Sequence, residues 1–160
     1  GAVAMATLDS PPGPAGDGGA AVPPGFQPHA RRSPLTDPWE PLYARVTGEA
    51  VVLGLHVRPA HTNARGLVHG GLIAALADNA MGLSCAARLG GGRRPLTAPL
   101  SADYLRTARP GQWLTFETGF VKTGRTLCVA SALVLADGVP CARANATFTL
   151  AAPPAPEGSA

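Results

Sequence analysis

The 160-residue chain is 46% hydrophobic and 14% charged, which suits one domain with a real core and leaves little room for a second. Its net charge of +3 is carried almost wholly by arginine, with Lys122 the only lysine, and it lacks the clustered cations and stacking aromatics of a nucleic-acid binder. No apolar run is expected to reach the length of a membrane span and no N-terminal stretch reads as a signal peptide, while the three widely spaced cysteines form neither a CxxC motif nor a disulfide framework.

Cys85, Cys128 and Cys141 therefore read as small buried hydrophobes of a protein in a reducing cytoplasm. Residues 1–33, rich in Pro, Gly and Ala, have no hydrophobic period with which to offset ordering entropy, so a mobile tail is expected there. The same holds for 152–160, leaving a folded domain over 34–151. The pairs Arg31-Arg32 and Arg93-Arg94 read as solvated loop charges.

In chain order, Thr36 or Asp37 caps a short helix with Pro38 in its first turn, running to about Tyr43. Tyr43 to Thr47 and Ala50 to Arg58 flank Gly48 as a hairpin, and Val51, Leu53, Leu55 and Val57 alternate as in a half-buried strand. A loop over 59–68 leads to one long helix from His69 to about Arg88, marked by Leu72, Ile73, Leu76, Ala80, Leu83 and Ala87 and stopped by Gly90. Four strands follow, near 96–105, 113–122, 125–136 and 140–150, joined by Pro110-Gly111, Thr123-Gly124 and Asp137-Gly138. Successive hairpins argue for antiparallel pairing, and 127–135, apolar on both faces, belongs inside the sheet. One helix covers one face only; the other, with Thr115, Thr118, Ser131 and Thr147, is too mixed to assign to solvent or to another subunit.

The chemistry concentrates in 61–78. Gly70 and Gly71 open the helix at a cost in propensity, but they let a ligand approach unpaired amide N–H groups at the positive end of the helix dipole, where a developing oxyanion would be stabilised. Tight helix packing explains two glycines equally well. Asp78 shares its helical face with Gly71, Ala74, Ala75, Met81 and Gly82; a carboxylate among small apolar residues is a candidate base, with an exposed or loop-capping Asp as the plain alternative. Asn63 is a carbonyl- or water-orienting group or simply a turn residue, and His69 an acid–base group or a helix cap. The histidines have no metal-ligand spacing, so no metal is expected.

Together Asn63, Gly66, His69-Gly70-Gly71 and Asp78, seven residues beyond the second glycine, resemble the hotdog-fold thioesterases of the PaaI-like, phenylacetate-degradation type. The resemblance spans roughly residues 37–150. It implies an α+β hotdog fold, an antiparallel sheet wrapped around one long central helix. It further implies a homodimer, commonly paired into a homotetramer, and hydrolysis of an acyl-CoA thioester with no cofactor, coenzyme A being part of the substrate. By resemblance, Asn63, His69 and Gly70 of one subunit face Asp78 and Thr97 of another. Asp78 would be general base or nucleophile, the Gly70 N–H would polarise the carbonyl with Gly71 nearby, Asn63 would orient the carbonyl or water, and Thr97 would position the water. Lys122, Gly124, Arg125 and Thr126 would meet the coenzyme A phosphates, with Arg106 and Arg109 as weaker candidates. Leu72, Met81 and the surroundings of Pro99 would line the acyl pocket. A non-catalytic acyl-CoA-binding module and a hydroxyacyl-thioester dehydratase are the competing classes; the first predicts ligand binding without thiol release, the second an enoyl product without free coenzyme A.

Overall fold

A computed structural model describes residues 20–90 and 92–152. The elements are β1 (Gln27–Pro28), a 3₁₀ turn (Asp37–Trp39), β2 (Tyr43–Val46), β3 (Val51–His56), a second 3₁₀ turn (Pro59–His61), α1 (Gly70–Leu89), β4 (Arg94–Tyr104), β5 (Trp113–Thr123), β6 (Leu127–Ala136) and β7 (Val139–Ala151). The seven strands form one sheet in the order β1-β2-β3-β5-β6-β7-β4, every pairing antiparallel. One helix lies against one face of that sheet, as the α+β hotdog expectation required.

The buried stripe of α1 is Leu72, Ile73, Leu76, Ala77, Ala80, Met81, Ser84 and Cys85, one face at helical spacing. Of the positions expected on that face, Leu83 is only half-buried and Ala87 is exposed. Ser84 takes a core place because its hydroxyl donates to the Ala80 carbonyl (2.7 Å) and accepts from the Val51 N–H (3.1 Å), so no polar atom is stranded. Opposite, Ala130, Ala132, Ala136, Ala142, Ala144 and Ala146 give β6 and β7 a shallow inner surface on which the helix seats closely, with Phe116 and Phe148 filling the remaining space. By length and composition α1 would suffice to cross a membrane, which corrects the expectation that no run reaches that size; its apolar face is instead packed on the sheet.

Other expectations also need correcting. The first helix stops at Trp39, because Pro41 lacks an amide donor and its ring opposes continuation, so Tyr43 already belongs to β2. Thr118 points inward, buried beside the helix, while Thr115, Ser131 and Thr147 stay on the other face. Of the expected N-terminal tail, residues 1–19 lie outside the described residues, as do 153–160 of the C-terminal one. Residues 20–33 are part of the packed structure: β1 pairs with β2, and Phe26 is buried on the back of β3 in an edge-to-face contact with Trp113 at 5.2 Å. Gly54 makes room for that contact, since a Cβ there would fall 2.4 Å from Trp113 Cζ2 and 3.1 Å from Phe26 Cε1.

Candidate active site

The loop before α1 is shaped by Asn63. Its Oδ1 accepts from the N–H groups of Arg65 (2.9 Å) and Leu67 (3.2 Å), and its own N–H donates to the Leu67 carbonyl. Gly66, at φ +73°, supplies the left-handed residue this tight turn needs. The Asn63 oxygen is therefore spent on the loop, and only its amide NH₂ remains to face a ligand. His69 caps the helix: its Nδ1 accepts from the Gly71 N–H at 2.8 Å. The Gly71 donor is thus occupied, while the Gly70 N–H has no partner among the described residues. Tyr104 donates to the Gly70 carbonyl (2.7 Å), and its ring would sit only 3.1 Å from a Cβ at Gly70. Tyr104 is a neighbour of the helix start that no local sequence pattern announced; only the fold brings the end of β4 to it.

Asp78 lies half-buried two turns further along α1. Thr97 Oγ1 donates to its Oδ1 at 2.7 Å, linking the helix to the edge strand β4. Beyond Thr97 the β4–β7 register slips before Leu100, at the segment holding Pro99, which cannot donate to the ladder. Asp78 and Thr97 open into a cavity of about 290 Å³. Gly82, Leu83 and Ala86 continue its helical wall, and Phe148, against which Gly82 packs, lines it from the sheet.

The third wall is the segment from His29 to Thr36, with Arg31 and Arg32 both lining the cavity. Both stay exposed, as expected of solvated loop charges, while bordering the cavity. Arg32 donates to Asp37 (3.0 Å) and lies 3.5 Å from Glu40, and those acids raise its guanidinium further above its ordinary value, the Asp37 hydrogen bond foremost. Burial lowers the His29 imidazole below its ordinary value, with Glu40 opposing and Arg31 reinforcing the shift. Leu72 and Met81, expected to line the acyl pocket, instead lie buried in the core because they fall on the sheet-facing stripe.

The hairpin of Lys122, Gly124, Arg125 and Thr126 is exposed between β5 and β6. The Gly124 N–H donates to the Leu127 carbonyl at 2.7 Å, so close that a Cβ would meet that oxygen at 3.0 Å. Arg93 holds the Arg125 carbonyl, leaving the Lys122 and Arg125 cations outward. The three cysteines are free thiols with no exposed surface; burial raises the Cys85 and Cys141 thiols, which suits packing groups and not nucleophiles.

One long helix cradled by a seven-stranded antiparallel sheet is the architecture of the hotdog fold. The thioesterase superfamily profile matches residues 65–141. A Pseudomonas aeruginosa protein described as an esterase is 37% identical over 112 residues, covering 69% of this chain and 84% of that one. Human acyl-coenzyme A thioesterase 13 is 34% identical over 51% of this chain and 57% of its own length. Among solved structures, a Streptococcus mutans protein bound to acetyl-CoA superposes with a TM-score of 0.59 at 26% identity, over 66% of this chain and 83% of the other. The phenylacetic acid degradation protein PaaI of Thermus thermophilus shares the fold, with a TM-score of 0.65 at 23% identity over 73% and 98% of the two chains. The chain belongs to the thioesterase superfamily, and its activity class is thioester hydrolysis.

Proposed function

We propose that the protein hydrolyses an acyl-CoA thioester to a free acid and coenzyme A, with Asp78 as its catalytic carboxylate. The observation that carries this is the Thr97–Asp78 pair opening into a cavity on a thioesterase fold. Thr97 engages one carboxylate oxygen and leaves the other for the reaction. In the base-catalysed course, that oxygen takes a proton from water as the water oxygen bonds to the thioester carbon. The carbonyl electrons move onto oxygen, then return as the C–S bond breaks and coenzyme A leaves as a thiolate. In the nucleophilic course, the carboxylate attacks directly and water cleaves the resulting anhydride.

The Gly70 N–H is the natural receiver of the oxyanion, since it is an unpaired donor at the positive end of α1. It cannot serve Asp78 of its own chain. Eight residues of α-helix separate Gly70 from Asp78, roughly 12 Å along the axis. Hydrogen-bonding distance to a common thioester requires the two groups to come from different copies. We therefore propose a homo-oligomer with the cleft between subunits. The exposed Leu96 on edge strand β4, and Phe120, Leu127 and Leu133, offer apolar surface for such contacts. The Asn63 amide and His69 Nε2 would flank the carbonyl, and Lys122 and Arg125 would meet the coenzyme A phosphates, with Gly124 and Thr126 shaping the hairpin that presents them. Coenzyme A enters as part of the substrate, and no cofactor is invoked.

The experiment is release of free thiol from a panel of acyl-CoAs. Turnover that disappears in Asp78→Ala supports the assignment. Tight acyl-CoA binding without thiol release would replace it with a binding module.

A further inference from the structure

Resting on that reading, we infer that Tyr104 is a positioning residue of the reaction: its hydroxyl holds the first turn of α1 so that the Gly70 N–H stays aimed at the thioester oxygen. The helix opens on two glycines, the residue type that loses most freedom on ordering, at the place where a donor has to be preorganised. The direction of the Gly70 N–H is set by the two peptide planes on either side of that residue. The plane before it is held by the His69 carbonyl, which accepts from the N–H groups of Leu72 (3.1 Å) and Ile73 (3.2 Å). The plane after it is held at both polar atoms. Its carbonyl, that of Gly70, accepts from the Tyr104 hydroxyl at 2.7 Å, and its N–H, that of Gly71, donates to His69 Nδ1 at 2.8 Å. Of these anchors, Tyr104 is the one that ties Gly70 to the sheet.

Tyr104 and Gly70 are fitted to each other. A Cβ on residue 70 would meet the Tyr104 ring at 3.1 Å and its hydroxyl at 3.2 Å, so glycine there is what lets the bond form. The tyrosine also stands on a firm base. It pairs with Ala142 at the end of β4, and the N–H groups of Leu105 and Arg106 just beyond it both donate to the carbonyl of the buried Cys141 (2.9 and 3.1 Å). With 55% of its surface exposed, Tyr104 adds little to the core, and the bond that uses its hydroxyl is the one at Gly70. β4 thereby fastens its own helix at both working groups: Thr97 holds the Asp78 carboxylate, and Tyr104 holds the peptide next to the free amide.

The test measures steady-state thiol release by the wild type, Tyr104→Phe, Gly70→Ala and the double variant, on the acyl-CoA that the wild type cleaves fastest. Inhibition by an S-alkyl-CoA thioether, which has no carbonyl for the amide to meet, reports binding alone. Tyr104→Phe keeps the ring and loses the bond, so kcat is expected to fall about fivefold to tenfold, the range of a neutral hydrogen bond. KM, thioether inhibition and the thermal midpoint should stay near wild type. In Gly70→Ala, whose methyl already displaces the hydroxyl, adding Tyr104→Phe should cost little more. A kcat for Tyr104→Phe within twofold of wild type overturns the inference while leaving the thioesterase intact. So does an equal further loss in the two backgrounds, or an activity loss that only follows a lowered thermal midpoint. Weaker thioether inhibition with kcat kept also overturns it, by making Tyr104 a substrate contact. If the wild type cleaves no thioester at all, the proposed function fails and this inference with it.

Discussion

Thr97 and Asp78, nineteen residues apart in sequence, are joined by a 2.7 Å hydrogen bond from the threonine hydroxyl to one carboxylate oxygen. The bond ties the middle of α1 to the edge strand β4, and the second oxygen of Asp78 has no hydrogen-bond partner among the described residues. Asp78→Asn keeps the shape and the Thr97 contact while removing the base, so kcat for acyl-CoA should drop by about 10²–10⁴ with KM little altered. Steady-state thiol release measures this; a variant within threefold of wild type would remove Asp78 from the mechanism.

Thr97→Ala deletes the donor and frees the carboxylate to rotate. Because the pair is partly open to solvent, the expected loss is modest, about fivefold to tenfold in kcat. Thr97→Ser should recover most of it. If Ser and Ala behave alike, the methyl group rather than the hydroxyl matters.

Gly70→Pro tests the amide itself. Proline is favoured at the first position of a helix, and His69 before it already has ψ 130°, as a residue preceding proline requires. Gly70→Ala adds similar crowding against Tyr104 but keeps the N–H. Activity is expected to fall by about 10²-fold or more in the proline variant and much less in the alanine one, with both folded by circular dichroism. Equal defects would point to crowding as the cause.

The buried thiols give a pH dependence. Burial raises Cys85 and Cys141 above the ordinary 9.0, so the unfolded chain ionises first. Their contribution is whole below pH 9 and is lost as pH rises above it, by up to about 1.4 kcal/mol per pH unit for each thiol. Thermal melts should show a decline above pH 9 that flattens in Cys85→Ala/Cys141→Ala. An unchanged slope in the double variant would contradict this.

The long helix, the order of the strands and the hairpin turns were legible because period and turn chemistry are local: Leu72, Ile73 and Leu76 announce a helical face, and Asp137-Gly138 a tight turn. Gly70 and Asp78 could be singled out by residue type and spacing, Thr97 only through the family resemblance. What local pattern could not carry is contact made only by the fold. Phe26 sits among prolines and glycines that look like a tail, yet it fills the space over Gly54. Arg31 and Arg32 are exposed loop charges, as they read, but only the fold shows that they border the Asp78 cavity. Likewise Leu72 and Met81 were assigned to the pocket because spacing gives a face but not what covers it. Phe26→Ala should accordingly cost about 3 kcal/mol in urea unfolding, where a true tail residue would cost nothing.

The central claim, that Asp78 of one copy works with the Gly70 amide of another, is tested most directly by mixing. Asp78→Ala and Gly70→Pro proteins, each inactive alone, are unfolded together in equal amounts and refolded. Random pairing into dimers gives half mixed species with one intact site each, so roughly a quarter of wild-type thiol release should return. A mixture that stays as inactive as its two components would contradict the shared site.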